Sequence, residues 1–145
     1  MSQRLHVVTL GVRDLDRARR FYVDGLGWEP TLDVPGEVVF IQVAPGVLLG
    51  LWDAAEMEAD YGGAPVGTGA AAVSLAHNVG SDEEVAAFLD RAVAAGARVL
   101  KPAQRASWGG VHGHFEDPCG FRWEVAHNPG LVVADDGTVR IGPGT

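Results

Sequence analysis

The sequence contains a single cysteine, Cys119, and only 11 basic residues against 19 acidic ones. One cysteine excludes an internal disulfide and is typical of a reducing compartment. A formal net charge of -8 argues against nucleic acid and anionic membranes as partners, because both need clustered lysine and arginine. The most apolar stretch, 38–52, is broken by Gln42 and Pro45, so it does not predict a membrane helix. The first residues lack the pattern of a secretion signal, and we therefore expect a cytoplasmic protein.

Hydrophobic residues make up 47% of the sequence, and no low-complexity tract separates them. This composition is ordinary for a globular protein and argues against disorder. A chain of 145 residues can bury roughly two-thirds of its unfolded surface. We therefore expect one domain with a substantial core.

The first half of the sequence predicts a strand, a helix and three further strands. Asp14 offers a side-chain oxygen to the first amides of the helix, and Gly25 and Gly27 end it. The last two strands flank the turn Ala44-Pro45-Gly46 and form a hairpin. The predicted strands are 5–12, 28–32, 37–43 and 47–52.

The second half predicts the same order of elements. Ser81 and Glu84 form a capping box that opens a helix, and Gly96 ends it. The triplet Val73-Ser74-Leu75 repeats Val8-Thr9-Leu10 of the first half, which indicates a duplicated module. The predicted strands are 71–78, 98–102, 108–116 and 120–127.

This duplication predicts an α+β fold. Two tandem β-α-β-β-β modules would form a curved mixed sheet around a shared cleft, because each module leaves one sheet face uncovered by its own helix. The glycine-rich linker either overhangs the cleft as a lid or simply joins the modules. The predicted boundaries are module one over 4–53, the linker over 54–70 and module two over 71–129, all in one domain over 1–130, then a C-terminal hairpin and tail over 131–145.

Two segments carry a family resemblance. LGVRDLDRARRFYVDGLGW (10–28) resembles the opening of the vicinal oxygen chelate superfamily, which includes glyoxalases, bleomycin-resistance proteins and ring-cleaving dioxygenases. FEDPCGFRWEVAHNP (115–129) resembles the close of the second module in the same superfamily. The resemblance implies the duplicated fold and a homodimer. It does not fix the function, because this fold hosts several chemistries and plain binding proteins.

Metal-dependent members of that superfamily hold a divalent ion with three or four histidine and carboxylate side chains. The resemblance places these ligands at Val7, Gly50, Ala72 and Glu124, of which only Glu124 has donor atoms. His6 lies beside Val7, but successive strand residues face opposite sides, so it replaces Val7 only if a bulge reverses the strand. We therefore expect the inherited metal centre to be lost, and we predict no cofactor.

A different polar cluster is predicted in the second module. His112 and His114 are two residues apart on one strand and share a face. With Glu124 they would offer two imidazoles and one carboxylate to a metal ion. The alternative, which we favour at this point, is that they are hydrogen-bonding side chains in a polar cleft or at the surface.

Alternation along the strands predicts the lining of the cleft. If Gly50 faces the cleft, its neighbours at i±2 and the matching residues of the partner strand do so too. Such a mixture of aromatic and polar groups suits a flat organic ligand, although the aromatic rings could instead fill the junction between modules or a dimer contact. The predicted ligand-binding residues are Phe40, Gln42, Leu48, Trp52, Trp108, His112, His114 and Glu124.

Two residues outside this set have structural interpretations. His77 faces the helix or solvent, because its parity is opposite to that of Ala72 and Ser74. Cys119 lies in a turn, and no histidine base is near it in the sequence. We therefore expect an exposed thiol without a catalytic role rather than a nucleophile.

These observations lead to two hypotheses for the function. The first is a metal-independent protein that sequesters a small aromatic or drug-like compound, as the resemblance to bleomycin-resistance proteins implies. The second is a lyase, isomerase or dioxygenase of the glyoxalase type. It would use a metal at His112, His114 and Glu124, or it would use Glu124 as a general base with a pKa raised by a partly dry cleft. We favour binding, because the donor atoms of the inherited metal centre are absent.

Overall fold

The structure, a computed structural model, describes residues 3, 5–63, 65, 67 and 73–142. The first module contains three elements before its hairpin and a helix after it. The α1 helix continues directly into one π-helical turn. The elements are β1 (Val7–Val12), α1 (Leu15–Arg19), the π segment (Arg20–Gly25), β2 (Pro30–Val34), β3 (Val38–Ala44), β4 (Val47–Asp53) and α2 (Ala54–Asp60).

The second module repeats the strand–helix order and is followed by a small hairpin. Its first predicted residues, 71 and 72, lie outside the described residues. The C-terminal hairpin forms within the segment predicted for it. The elements are β5 (Leu75–Asn78), α3 (Asp82–Ala94), β6 (Arg98–Arg105), β7 (Val111–Glu116), β8 (Arg122–His127), β9 (Leu131–Val133) and β10 (Val139–Ile141).

The strands form two four-stranded sheets with the same topology. Their orders are β1-β4-β3-β2 and β5-β8-β7-β6. In each sheet the first strand pairs in parallel with the last strand of its module, and the remaining pairs are antiparallel. The predicted α+β fold of two tandem β-α-β-β-β modules is confirmed.

Local hydrogen bonds start the helices where the sequence predicts. The Asp14 carboxylate accepts from the Arg17 amide at 3.0 Å and opens α1. The Ser81 hydroxyl accepts from the Glu84 amide at 3.3 Å and opens α3. The Glu84 carboxylate accepts in return from the Gly80 amide at 2.8 Å, one residue before the position that a standard capping box uses.

The predicted linker 54–70 begins as a helix rather than a loop. The Asp53 side chain caps α2 by accepting from the amides of Ala55 and Glu56. Ala54 and Met57 are buried, and α2 packs on β1 and β4. Residues 64, 66 and 68–70 of the predicted linker lie outside the described residues. Sequence reasoning missed α2 because the glycines further along dominate the composition of this segment.

One hydrophobic core joins the two modules. The ring of Phe21 lies 6.2 Å from that of Phe115, and the ring of Tyr22 lies 6.2 Å from that of Trp123. Buried residues of β1, β3, β4, α1, α3, β7 and β8 belong to the same cluster. At the end of the π segment, Gly25 lies so close to α3 that an added Cβ would be 2.5 Å from the Cβ of Ala95. The modules therefore pack through the sides that their helices cover.

None of the helices in the described ranges has both the length and the apolar character needed to cross a membrane.

Candidate functional site

A cavity of about 760 Å³ lies between the two modules. Module one contributes residues of β1, the start of β2, and the β3–β4 hairpin, and module two contributes residues of β5 and β8. This volume is in the range of pockets that hold a small organic molecule. A cavity is therefore present between the modules, although its lining differs from that of the predicted cleft.

Three aromatic rings form one side of the cavity. Trp28 lies 5.9 Å from Trp123 between ring centroids, at an angle of 75°, and 6.3 Å from His77. The indole N–H of Trp123 donates to the hydroxyl oxygen of Tyr22 at 3.0 Å, and the ring of His77 lies 4.5 Å from Phe88. Because these neighbours fix two of the three rings, a flat ligand would meet a preformed aromatic surface.

The remaining lining is apolar with a few polar groups. Leu48, Leu49 and Leu75 supply aliphatic surface, while Gln42 and Glu29 supply an amide and a carboxylate. Burial lowers the pKa of His77 below its ordinary value of 6.5, so its imidazole is neutral at pH 7. A neutral imidazole offers one hydrogen-bond donor and one acceptor to a ligand without adding positive charge.

A buried polar link supports this aromatic wall from behind. The Tyr22 hydroxyl donates to Asp117 Oδ2 at 2.5 Å, and Asp117 Oδ1 accepts from the amides of Cys119 and Phe121 at 2.8 and 2.9 Å. Burial raises the pKa of Tyr22 well above its ordinary value and also raises the pKa of Asp117. The Tyr22 hydroxyl therefore keeps its proton at neutral pH and remains available as a donor.

The cavity includes two of the eight predicted ligand-binding residues, Gln42 and Leu48. The sheet register pairs Phe40 with Gly50 and Gln42 with Leu48, as the predicted alternation requires. The other six predicted residues lie outside the lining of this cavity, and they are Phe40, Trp52, Trp108, His112, His114 and Glu124.

Sequence reasoning missed Trp28, His77 and Trp123 as cavity residues. His77 was expected to face the helix or solvent, and it does contact Phe88 of α3, yet it also reaches the space between the modules. Trp123 has the opposite parity to Glu124 on β8, so a cleft defined by Glu124 excludes it. No local feature of the sequence indicates which faces of the two sheets border the cavity between the modules.

The inherited metal positions do not fit an ion. Val7 is exposed and has no donor atom, and Ala72 lies outside the described residues. At Gly50, a Cβ would lie 2.9 Å from Cε1 of Phe40 and 3.0 Å from the hydroxyl oxygen of Thr9. The Phe40 ring thus occupies the space that a metal-binding side chain at position 50 would need.

His112, His114 and Glu124 come together on the β7–β8 pair. Nδ1 of His112 and Nε2 of His114 each lie 3.1 Å from the same carboxylate oxygen, Oε2 of Glu124. Register pairs His114 directly with Glu124, and the two imidazoles lie 5.3 Å apart at 80°. Trp108 lies in the turn before β7 rather than in the predicted strand, with its ring 5.7 Å from that of His112.

The pKa of Glu124 moves in the direction opposite to the one expected for a general base. Burial raises it, but the hydrogen bonds from His112 and His114 outweigh burial and lower the pKa below its ordinary value of 4.5. The expectation of a raised pKa was therefore wrong. An ionised carboxylate beside two imidazoles is a hydrogen-bond acceptor at neutral pH, and it is too weak a base for efficient proton abstraction.

Cys119 has the character of an unreactive thiol. Burial, together with the negative charge of nearby Asp117, raises its pKa to about 11. Because the thiolate is the nucleophilic form, a pKa this high keeps Cys119 inert near pH 7.

The fold and the cavity define a class of α+β proteins that consist of two similar modules, each with a four-stranded sheet of the same strand order. The chain belongs to the glyoxalase/bleomycin resistance protein/dioxygenase superfamily, which it matches over residues 4–125. No curated protein matches the chain significantly.

Several solved structures share this fold. The chain is similar to a glyoxalase-related enzyme from Fulvimarina pelagi, with 38% identity, coverage of 97% of this chain and 99% of that chain, and a TM-score of 0.89. It is similar to a glyoxalase/bleomycin resistance protein/dioxygenase from Nocardioides, with 27% identity, coverage of 91% of each chain and a TM-score of 0.72. It is also similar to a lactoylglutathione lyase from Agrobacterium tumefaciens, with 26% identity, coverage of 88% of this chain and 95% of that chain, and a TM-score of 0.67.

Proposed function

We propose that the chain binds a small, flat organic molecule in the cavity between its modules. The aromatic wall of Trp28, His77 and Trp123 is the observation that supports this proposal most strongly. A ligand with an aromatic ring would stack on Trp28 and remove that face of its ring from water. The superfamily's usual metal is not needed for such binding, in line with the absence of donor atoms at Val7 and Gly50.

Polar groups at the cavity favour a ligand with hydrogen-bond donors and positive charge. Glu29 contributes a carboxylate to the lining, and the whole chain carries a formal net charge of -8. Gln42 and the neutral His77 add groups that orient a ligand without repelling a cation. Sequestration of a basic, aromatic antibiotic is the biological use that we propose.

Tryptophan fluorescence tests the location of binding, with bleomycin as the probe. We expect bleomycin to quench the fluorescence of the chain. Trp28→Phe should remove part of this quenching and weaken binding about fivefold, since this is the effect of losing roughly 1 kcal/mol of ring contact. Matched variants Trp52→Phe and Trp108→Phe lie outside the cavity and should bind as the unchanged chain does.

The opposite pattern would contradict this assignment. If Trp52→Phe and Trp108→Phe weaken binding while Trp28→Phe does not, the ligand binds on the outer sheet face instead. If bleomycin does not bind at all, the antibiotic use is wrong, and a set of flat aromatic cations tests the cavity itself. The homodimer implied by the family resemblance is a proposal of the same kind, which light scattering of the purified chain tests.

A glyoxalase-type lyase or isomerase is the second candidate function. It is favoured by the similarity to the Agrobacterium lactoylglutathione lyase and by the cluster of His112, His114 and Glu124. Turnover of lactoylglutathione by the purified chain, abolished by Glu124→Gln, would favour this activity over binding alone.

A further inference from the structure

We propose that His112, His114 and Glu124 form a binding site for one divalent transition-metal ion, separate from the cavity between the modules. Nδ1 of His112, Nε2 of His114 and a carboxylate oxygen of Glu124 lie within 4.8 Å of one another. This site shares Glu124 with the ligand positions that the family resemblance implies, but its two imidazoles come from β7, where that set has no ligand. It goes beyond the proposed ligand binding, which needs no metal.

The geometry of the three side chains already approaches that of a metal site. Each nitrogen lies 3.1 Å from Oε2 of Glu124. Two ligands that are about 2.0–2.1 Å from a tetrahedral ion lie roughly 3.3 Å from each other. Two of the three ligand separations therefore fit an ion, and small rotations of the imidazoles would bring the third into range.

The backbone holds these side chains in place. His114 and Glu124 are directly opposed on antiparallel strands, and His112 follows on the same face, opposite Ala126. On the other side of β8, Glu124 is paired with Ala76 of β5, so its backbone is held between two neighbouring strands. Three donors on two hydrogen-bonded strands form a rigid site that loses little entropy when an ion binds.

The exposure of the cluster allows an ion to enter. The side chain of His112 is 12% exposed and packs on Trp108, whereas those of His114 and Glu124 are 37% and 32% exposed. An ion would approach from solvent and contact a buried imidazole, that of His112. The more exposed side chains of His114 and Glu124 could adjust their rotamers around it. Three protein ligands would leave at least one coordination position for water or another molecule.

The donor set selects the class of metal. Two imidazoles and one carboxylate favour Zn²⁺, Ni²⁺ and Co²⁺ over Mg²⁺ and Ca²⁺, which prefer sites built from oxygen atoms. We therefore expect tight binding of the first group and no measurable binding of the second at equal concentration.

Calorimetric titration of the full chain tests this proposal, after treatment with a chelator and without a histidine tag. We expect one Zn²⁺ per chain. His112→Ala and Glu124→Gln should each weaken binding by at least roughly 100-fold, since the loss of a direct ligand costs more than the loss of its outer support. His127→Ala is the matched control, because His127 also lies on β8 and contacts a carboxylate, that of Asp82, without a second histidine.

Spectroscopy adds a readout that does not depend on affinity. Bound Ni²⁺ or Co²⁺ should quench Trp108, whose ring lies 5.7 Å from that of His112, and Trp108→Phe should remove this quenching without changing the stoichiometry. Imidazole NMR signals of His112 and His114 should shift with Zn²⁺, while that of His127 should not. If His112→Ala fails to fold, His114→Gln replaces it, since that side chain is the more exposed one.

Three results would overturn the proposal. The first is that the unchanged chain binds Zn²⁺ no more tightly than the double variant that carries His112→Ala and Glu124→Gln. The second is binding that His127→Ala abolishes instead. The third is equal affinity for Mg²⁺ and Zn²⁺. Binding of a flat aromatic cation that does not chelate metals, measured with and without Zn²⁺, keeps this proposal distinct from the function of the cavity, because either site can fail while the other is retained.

Discussion

His77 shows how burial of a single side chain sets the chemistry of the cavity. Its ring lies against Phe88, and burial lowers its pKa below 6.5. The neutral ring is therefore favoured in the folded chain, while the unfolded chain takes up a proton as the pH falls below 6.5. Lowering the pH below 6.5 therefore reduces the free energy of unfolding. Above pH 6.5 the ring is neutral in both states, and this loss of stability is absent.

NMR titration of the His77 ring tests this effect. We expect a midpoint below 6.5, and we expect Phe88→Ala to move it back towards 6.5 by admitting water to the ring. The loss of stability on acidification should also be smaller in His77→Gln than in the unchanged chain. A midpoint at or above 6.5 would show that His77 is solvated and does not present a neutral imidazole to the cavity.

At the scale of elements, the hydroxyl of Tyr22 connects the π segment to the turn between β7 and β8. It donates to Asp117 and accepts from the indole of Trp123. Tyr22→Phe would leave both buried partners without this contact, and we expect a loss of about 1–3 kcal/mol in the free energy of unfolding. Chemical denaturation measures this loss, with Tyr61→Phe as the control because Tyr61 is 65% exposed. Equal stability of Tyr22→Phe and the unchanged chain would mean that water replaces the hydroxyl.

The elements themselves were largely predictable, because local chemistry determines them. Asp14 and Ser81 cap helices through hydrogen bonds to residues three positions away, so the sequence carries the whole signal. The π segment was not predicted. Its hydrogen bond from the Leu26 amide to the Phe21 carbonyl spans five residues instead of four, and the segment packs against Ala95 and Phe115 of the second module, a long-range contact that local sequence patterns do not encode.

At the scale of the whole molecule, Gly25 allows the two modules to approach each other. An added Cβ would lie 2.5 Å from the Cβ of Ala95 and 3.2 Å from its Cα, so one of the two segments would have to shift. Gly25→Ala should therefore lower the free energy of unfolding by about 1–3 kcal/mol through overpacking. Gly67→Ala is the control, because a Cβ there has no atom within 4 Å. Denaturation midpoints that match for both variants would show that the contact between modules is easily adjusted.

The cavity was predicted as a feature of the fold, but most of its lining was not. Repeats in the sequence establish that there are two modules, and alternation establishes which residues share a face, as with Phe40 and Gly50. Neither determines which faces the modules bring together. That choice depends on long-range packing, such as the contact of Phe21 with Phe115, and so Trp28 and Trp123 had no signal in the sequence.

The link between Tyr22 and Asp117 has no counterpart in the other half of the duplication. Tyr22 lies eight residues after the N-cap Asp14, and eight residues after the N-cap Ser81 α3 carries the aliphatic Leu89. The turn Ala44-Pro45-Gly46, which joins the last two strands of module one as the Asp117 turn joins those of module two, has no carboxylate. The ancestral copies have thus diverged into unequal halves, one supplying a donor and the other its acceptor. The two positions are therefore constrained together, because losing one partner of the pair would leave the other as an unmatched polar group on a hydrocarbon surface.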